Sequence, residues 1–240
     1  MQHRTILCIL AVAFVLLLTG CGTTSDTGEN SSAELDGAGM TQDEAFSLDL
    51  SHQYELAGQR YEATGELMGE VQQELHDGPW QDLSGGLEYY PSPAQSVGRA
   101  PTGATKDNSY YFRLARTLPV EDGSMMAVLR ETREAWLAKG WDVEGGETQT
   151  STGRLAATTP EGYWVALQDF SDDGMELDLS IHSPVYWGEQ YALGTRASQG
   201  RTAQDEAGMT WDTTDRDPET LRATRQPGEY RPFPSWEMTH

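Results

Sequence analysis

Apolar positions between residues 41 and 187 follow two rhythms, and each change of rhythm marks an element. Thr41-Gln-Asp-Glu44 has the form of a capping box, in which the threonine oxygen and the glutamate satisfy amides at a helix start. Tyr54, Ala57, Tyr61, Thr64, Met68, Val71 and Leu75 then recur at steps of three and four. That spacing predicts one long helix with a single buried stripe. Glu55, Glu62, Glu66, Glu70 and Glu74 fall on its solvent side, and His76-Asp-Gly-Pro79 stops it. Gly58, Gly65 and Gly69 each weaken such a helix by up to about 1 kcal/mol relative to alanine, so packing has to compensate.

The rhythm shortens to two further along. A short strand is expected near Leu87 to Tyr90, followed by a loop rich in proline and glycine. Tyr110 to Thr117 alternates, with Phe112 and Leu114 on one face and Arg113 on the other, as a half-buried strand does. Ser124 to Lys139 returns to helical spacing through Met125, Val128, Leu129, Thr132, Trp136 and Leu137, and Gly140 is placed to end it. Four strand-like runs follow: Trp141 to Thr148, Arg154 to Thr159, Tyr163 to Phe170 and Met175 to His182. The short linkers between them carry Ser-Thr-Gly, Pro-Glu-Gly and Asp-Asp-Gly, which join antiparallel neighbours. The predicted fold class is therefore α+β: an antiparallel sheet backed by helices over residues 41–187.

Both ends read differently. Residues 188–240 are polar, with scattered Trp211, Leu221, Phe233 and Trp236, and are expected to form a loosely ordered tail. Within them Arg231-Pro-Phe-Pro-Ser-Trp236 has a polyproline-type composition, and its aromatic residues are able to dock back on the domain or on a partner. At the other end Arg4 precedes an apolar run from Ile6 to Leu18, too short for a membrane span of about twenty residues. Small residues and Cys21 follow, the layout of a secretory signal peptide over residues 1–20. Residues 21–40 are rich in Gly, Ser, Thr and acidic side chains and predict a flexible tether.

Charge sharpens this picture. The chain carries 38 acidic and 16 basic residues, a net charge of −22. Between Gly22 and Glu88 stand fifteen acidic residues and one basic residue, Arg60, so the excess is concentrated toward the N-terminal side. Such a surface disfavours nucleic acid and anionic lipid heads, and leaves a solvated face or a docking surface for a basic partner.

Motifs for chemistry are absent: there is no Gly-x-Ser-x-Gly elbow, phosphate-binding loop, His-Glu-x-x-His or Ser-x-x-Lys. His52, His76, His182 and His240 are far apart in sequence, lack metal-ligand spacing and read singly as surface or capping residues. Asp172, Asp173, Glu176 and Asp178 lack the alternate spacing of a calcium loop. They read as a turn followed by a strand with Glu176 and Asp178 outward, Leu177 and Leu179 inward. No catalytic residue, metal site or cofactor is expected. Trp136, Trp141, Tyr163, Trp164, Tyr186 and Trp187 either fill the core or border an apolar groove.

Leu18-Thr19-Gly20-Cys21 resembles the bacterial lipoprotein signal, Leu-x-Gly/Ala-Cys. That resemblance implies cleavage by signal peptidase II before Cys21, with Leu18, Thr19 and Gly20 as the recognition residues and a diacylglycerol on the Cys21 sulfur. Cys8 lies in the part removed, so Cys21 would be the one cysteine left, with no intramolecular disulfide. With tether, long helix and small sheet, the chain resembles small actinobacterial lipoproteins of the LppA type, which implies a place on the outer side of the cell membrane and no particular reaction. The expected function is a membrane-anchored, non-catalytic binding or accessory module with an envelope protein or peptide partner. The alternatives are a carrier of an apolar ligand such as a lipid and an envelope hydrolase with an unrecognised site.

Overall fold

The computed structural model describes residues 34–82, 88–91, 100–120, 124–145, 153–169, 176–209, 216–218 and 222–239. Their fold is α+β, an antiparallel sheet packed with helices. In chain order the elements are α1 (Gln42–Ser47), α2 (Leu50–Leu75), β1 (Trp80–Asp82), β2 (Glu88–Pro91), β3 (Ser109–Pro119), α3 (Met125–Ala138), β4 (Asp142–Gly145), β5 (Arg154–Thr158), β6 (Trp164–Asp169), β7 (Glu176–His182), β8 (Tyr186–Trp187), α4 (Gln190–Glu206) and β9 (Thr224–Arg225), with a closing 3-10 turn at Trp236–Thr239. The sheet runs β4-β5-β6-β7-β3-β1-β9, so the four predicted runs form a consecutive meander.

β3 is the spine. Its eleven residues pair with β7 and then β8 along one edge, and with β1 and β2 along the other. In this register Leu114 lies opposite Ile181 and Leu118 opposite Leu177. On β6 Val165 continues the Ile181 row and Leu167 the row of Leu179, which faces Arg116, and on β5 Ala157 and Leu155 extend these two rows. Period-two alternation thus puts all of them on one face, where Met68 and Val71 of α2 and Met125, Leu129 and Trp136 of α3 cover them. Toward the other end of that face, Tyr110 and Phe112 pack with Tyr54, Ala57 and Tyr61 of α2 and Leu193 and Ala197 of α4.

The predicted long helix is interrupted. Thr41 and Glu44 do form the reciprocal capping box, but α1 stops at Ser47, and Leu48 is extended. Asp49 then accepts from the His52 amide at 2.9 Å and starts α2 as a fresh N-cap. A short acidic side chain that can take an amide proton competes with continuation of the helix. From Tyr54 to Val71 the predicted stripe is buried as expected.

Order also begins earlier than the predicted boundary at residue 41. The Asp36 carboxylate accepts from the amides of Ala38 (2.8 Å), Met40 (3.0 Å) and Trp187 (3.0 Å) and faces Arg60 at 3.7 Å. Arg60 in turn donates to the Tyr110 hydroxyl at 2.6 Å and lies 4.2 Å over the Tyr186 ring. The last residues assigned to the tether are therefore bound to the sheet. The rest of the tether and the signal segment lie outside the described residues.

The larger correction is at the C-terminal end. Residues 188–240, expected to be loose, contain the seventeen-residue helix α4, the β9 edge strand and a segment laid against α2 and α4. α4 escapes a hydropathy reading because its inner positions include Ala197, Gly200 and Gln204 beside the single large apolar Leu193. Arg116, wholly buried on β3, fixes the approach of this segment. It pairs with Asp82 at 3.0 Å and donates to the Glu229 carbonyl at 3.4 Å, while Arg225 lies 3.6 Å from Asp82.

The α2 glycines have their explanation here. A Cβ at Gly58 would stand 3.1 Å from the Phe233 ring, at Gly65 2.5 Å from the Tyr230 ring, and at Gly69 2.7 Å from the Gly228 Cα. Helix propensity favours Gly69→Ala by about 1 kcal/mol. Contact with backbone that cannot swing aside opposes it by roughly 1–3 kcal/mol, as overpacking does. The expected outcome is a lower urea midpoint for Gly69→Ala than for the parent protein; a raised midpoint would mean that the C-terminal segment does not sit there.

Candidate functional site

The opposite face of the same strands is polar. On β3 it carries Tyr111, Arg113, Ala115 and Thr117, and on β7 Asp178, Ser180 and His182. Pairing aligns these residues in rows across the strands. Ala115, Ser180, Ala166 and Ala156 form a central row over β3, β7, β6 and β5. One flanking row holds Arg113, His182 and Trp164; the other holds Thr117, Asp178, Gln168 and Arg154. Small residues between two rows of larger ones give a trough in the side-chain relief, about 13 Å between flanking Cα rows and about 14 Å along its four strands, and its floor of Ala115, Ser180, Ala166 and Ala156 is buried. Arg154 reaches across it, its guanidinium 5.3 Å from the Trp164 ring centre. α2, α3 and α4 pack on the other face.

His182 is held as a ring among rings. It stacks on Tyr111 (centroids 5.6 Å apart, 15° between planes) and meets Trp164 edge-on at 5.2 Å. Burial, with the Arg113 charge second, pulls its pKa down to about 4, so the imidazole is neutral at ordinary pH. Asp178 is 2 % exposed. Burial pushes its carboxyl up to about 6, with Arg113 and the Ser180 hydroxyl (3.4 Å) drawing it back and Glu176 adding to the rise. Asp178 Oδ1 and His182 Nδ1 have no hydrogen-bond partner among the described residues. A buried polar atom left so costs about 1–3 kcal/mol, which a ligand supplying the missing partner recovers.

Chemically this is a place to hold something polar. At neutral pH it presents a carboxylate, a guanidinium, a neutral imidazole and two aromatic walls. Asp178 and His182 are four residues apart on one strand, about 13 Å, too far to pass a proton directly. Among the described residues no group of three or more His, Cys, Asp or Glu is placed to hold a metal ion.

Leu18, Thr19, Gly20 and Cys21, and likewise Asp172, Asp173 and His240, lie outside the described residues. His52 is exposed beside Asp49 at the start of α2, and His76 caps its end through its backbone amide to the Gln72 carbonyl. His182 departs from the surface-or-cap expectation, being 8 % exposed within the aromatic stack. The alternation expected of β7 is present, with Leu177 and Leu179 in the core. Asp178 is not on a solvent face, however, and Glu176 is half-buried in an ion pair with Arg222. A joint reading of Arg113 with Glu176, Asp178, Ser180 and His182 as one polar face would have pointed here; strand register alone unites them. Of the aromatic residues weighed between core and groove, Trp136, Tyr186 and Trp187 are buried in the packing, Trp141 and Tyr163 border the main core, and Trp164 walls the trough. No described helix is long and apolar enough to cross a membrane.

The two shifted groups oppose each other in stability. Asp178 binds its proton more tightly folded than unfolded, so its contribution falls as pH rises from about 4 to about 6. His182 binds its proton less tightly folded, so its contribution rises between about 4 and about 6.5. Asp178→Asn is expected to leave a stability that climbs with pH across this window more steeply than in the parent, and His182→Gln one that climbs less or falls. Denaturant titrations at several pH values check both slopes; three parallel profiles would contradict the burial of these side chains.

No protein-family model matches the chain, and neither a curated protein nor a solved structure does.

Proposed function

We propose that this chain is a lipid-anchored, non-catalytic binding or accessory module on the outer side of a cell membrane, with the polar trough of its sheet as the recognition surface. The anchor half of the reading is supported by the lipoprotein-like signal Leu18-Thr19-Gly20-Cys21. Two acyl chains hold stably where one does not, each buried methylene contributing about 0.8 kcal/mol, so such a protein needs no basic patch to stay at the bilayer.

The recognition half is supported by one observation: Asp178 and His182 are buried on the sheet face away from α2, α3 and α4, each with a polar atom that has no partner among the described residues. In a site of low dielectric, hydrogen bonds to an incoming ligand are stronger than at an open surface. The trough's rows suit an extended polar segment, such as a stretch of a partner protein, lying across the strands. An apolar carrier is less well supported. The cavity lined by Tyr61, Phe112 and Phe233 has about 200 Å³, below the roughly 300–1,000 Å³ of sites that enclose a drug-sized ligand.

Cys21→Ser is expected to move the protein from the membrane to the soluble fraction and to abolish incorporation of labelled palmitate; retention with label would end the anchor reading. For recognition, cross-linked envelopes from cells carrying the parent protein, Arg154→Glu and Glu66→Lys are compared. A partner recovered with the parent and the α2 variant but at least fivefold depleted with Arg154→Glu is the expected result. Equal recovery from all three would remove the trough from the reading.

A further inference from the structure

The C-terminal segment meets the rest of the chain as a bound peptide meets a receptor. From Glu229 to Ser235 it is neither helix nor strand, and its main chain is read by side chains of the two helices it crosses. The Tyr61 hydroxyl donates to the Arg231 carbonyl at 2.5 Å, Arg201 to that of Pro232 at 2.6 Å, and the Tyr54 hydroxyl to that of Pro234 at 3.0 Å. Glu62 accepts from the Phe233 amide at 3.2 Å and, through its other oxygen, from the Tyr230 hydroxyl at 2.7 Å. Carbonyl after carbonyl is thus satisfied from one side, which is how an extended proline-rich strand without internal hydrogen bonds is recognised.

Side chains supply the anchor. The Phe233 ring sits 4.9 Å from Tyr54 and 5.2 Å from Tyr61, and Trp236 approaches Tyr54 edge-on at 5.4 Å. Arg231 pairs with Asp205 of α4 at 2.5 Å. The floor is cut to fit: at Gly200 on α4 an added Cβ would lie 2.6 Å from Pro234, the counterpart of Gly58 and Gly65 on α2. Helix positions that sacrifice propensity at every crossing point are hard to account for by a loose tail. Two features leave room at the edge of the seated segment. Tyr230, Phe233 and Trp236 remain only half-buried, and a cavity of about 200 Å³ stays open beside Phe233, walled by Gly194, Ala197 and Ser198.

We propose that the cleft between α2 and α4 is a recognition site for extended peptides of the Arg-Pro-aromatic-Pro type, and that the chain's own residues 229–236 occupy it in cis. A peptide of the same chemistry in trans competes with a ligand tethered to β9 through residues 226–228, at an effective concentration on the order of millimolar or higher, so access depends on weakening the cis occupant. This site is separate from the polar trough, lying on the helix-covered side of the sheet, and its test is independent of that reading.

The test is made on the full chain with a fluorescently labelled synthetic peptide of residues 226–240. Tyr230→Ala/Phe233→Ala protein is expected to bind it saturably and at least tenfold more tightly than the parent, which its own tail blocks. The same peptide carrying alanine at the Phe233 position binds neither protein, and adding Arg201→Ala to the double variant weakens binding at least fivefold. Circular dichroism melts establish that each variant is folded; if the double variant is not, Arg231→Ala, which removes an ion pair at the cleft's lip, takes its place with the same expected order. Absence of saturable binding to a folded tail variant, or binding indifferent to the Phe233 and Arg201 substitutions, would overturn the proposal.

Discussion

The pairing of β3 with β7 governs everything built around it. Arg113 to Pro119 run opposite His182 to Glu176, and in that register every even-numbered side chain of β3 points toward the helices and every odd one away. Leu114 and Leu118 thereby join Ile181 and Leu177 under α2 and α3, while Arg113 and Thr117 join His182 and Asp178 on the other side. A slip of one residue would exchange the two sets, driving Arg113 against Met68 and Val71 and exposing the leucines. The apolar face makes that slip costly, and the polar face inherits its geometry from it.

Charge is then spent at a few buried points to join distant parts of the chain. Asp36 binds the segment before α1 to Arg60 and to the amide of Trp187. Asp82 draws together Arg116 and Arg225, from strands on either side of β1. Desolvation lowers the Arg116 pKa and Asp82 opposes that fall. Buried pairs of this kind add little net stability but are costly to break singly, because the remaining charge has nowhere to go. Both sit where terminal segments meet the sheet, so they favour one arrangement of the ends over others.

The helices carry two demands at once. α2 must present Tyr54, Ala57, Tyr61, Met68 and Val71 to the sheet and also admit Tyr230, Phe233 and Gly228 along its flank. The glycines are the compromise. They cost helix stability in isolation and open a cleft in the fold, and burial of Tyr54 and Tyr61 against Phe112 and Phe233 compensates.

Sequence alone determined the elements whose burial pattern is local. The α2 stripe, the alternation of β3, the α3 face and the β4–β7 meander are all written in spacings of two, three or four residues. So is the capping box at Thr41, and the lipoprotein-like signal is a contiguous motif. Tertiary structure decided the rest, because its causes lie far apart in the chain. Asp36 is ordered by Arg60 and Trp187, and Arg116 by Asp82 and the Glu229 carbonyl. α4, poor in large apolar residues, is held by packing that no window of residues 190–206 contains. The trough exists only when three strands set Arg113, Trp164, Asp178 and His182 side by side, and the cleft only when the glycines of α2 meet residues some 160 positions later. Periodicity reports which face of an element is buried; what buries it is decided by pairing across the whole chain.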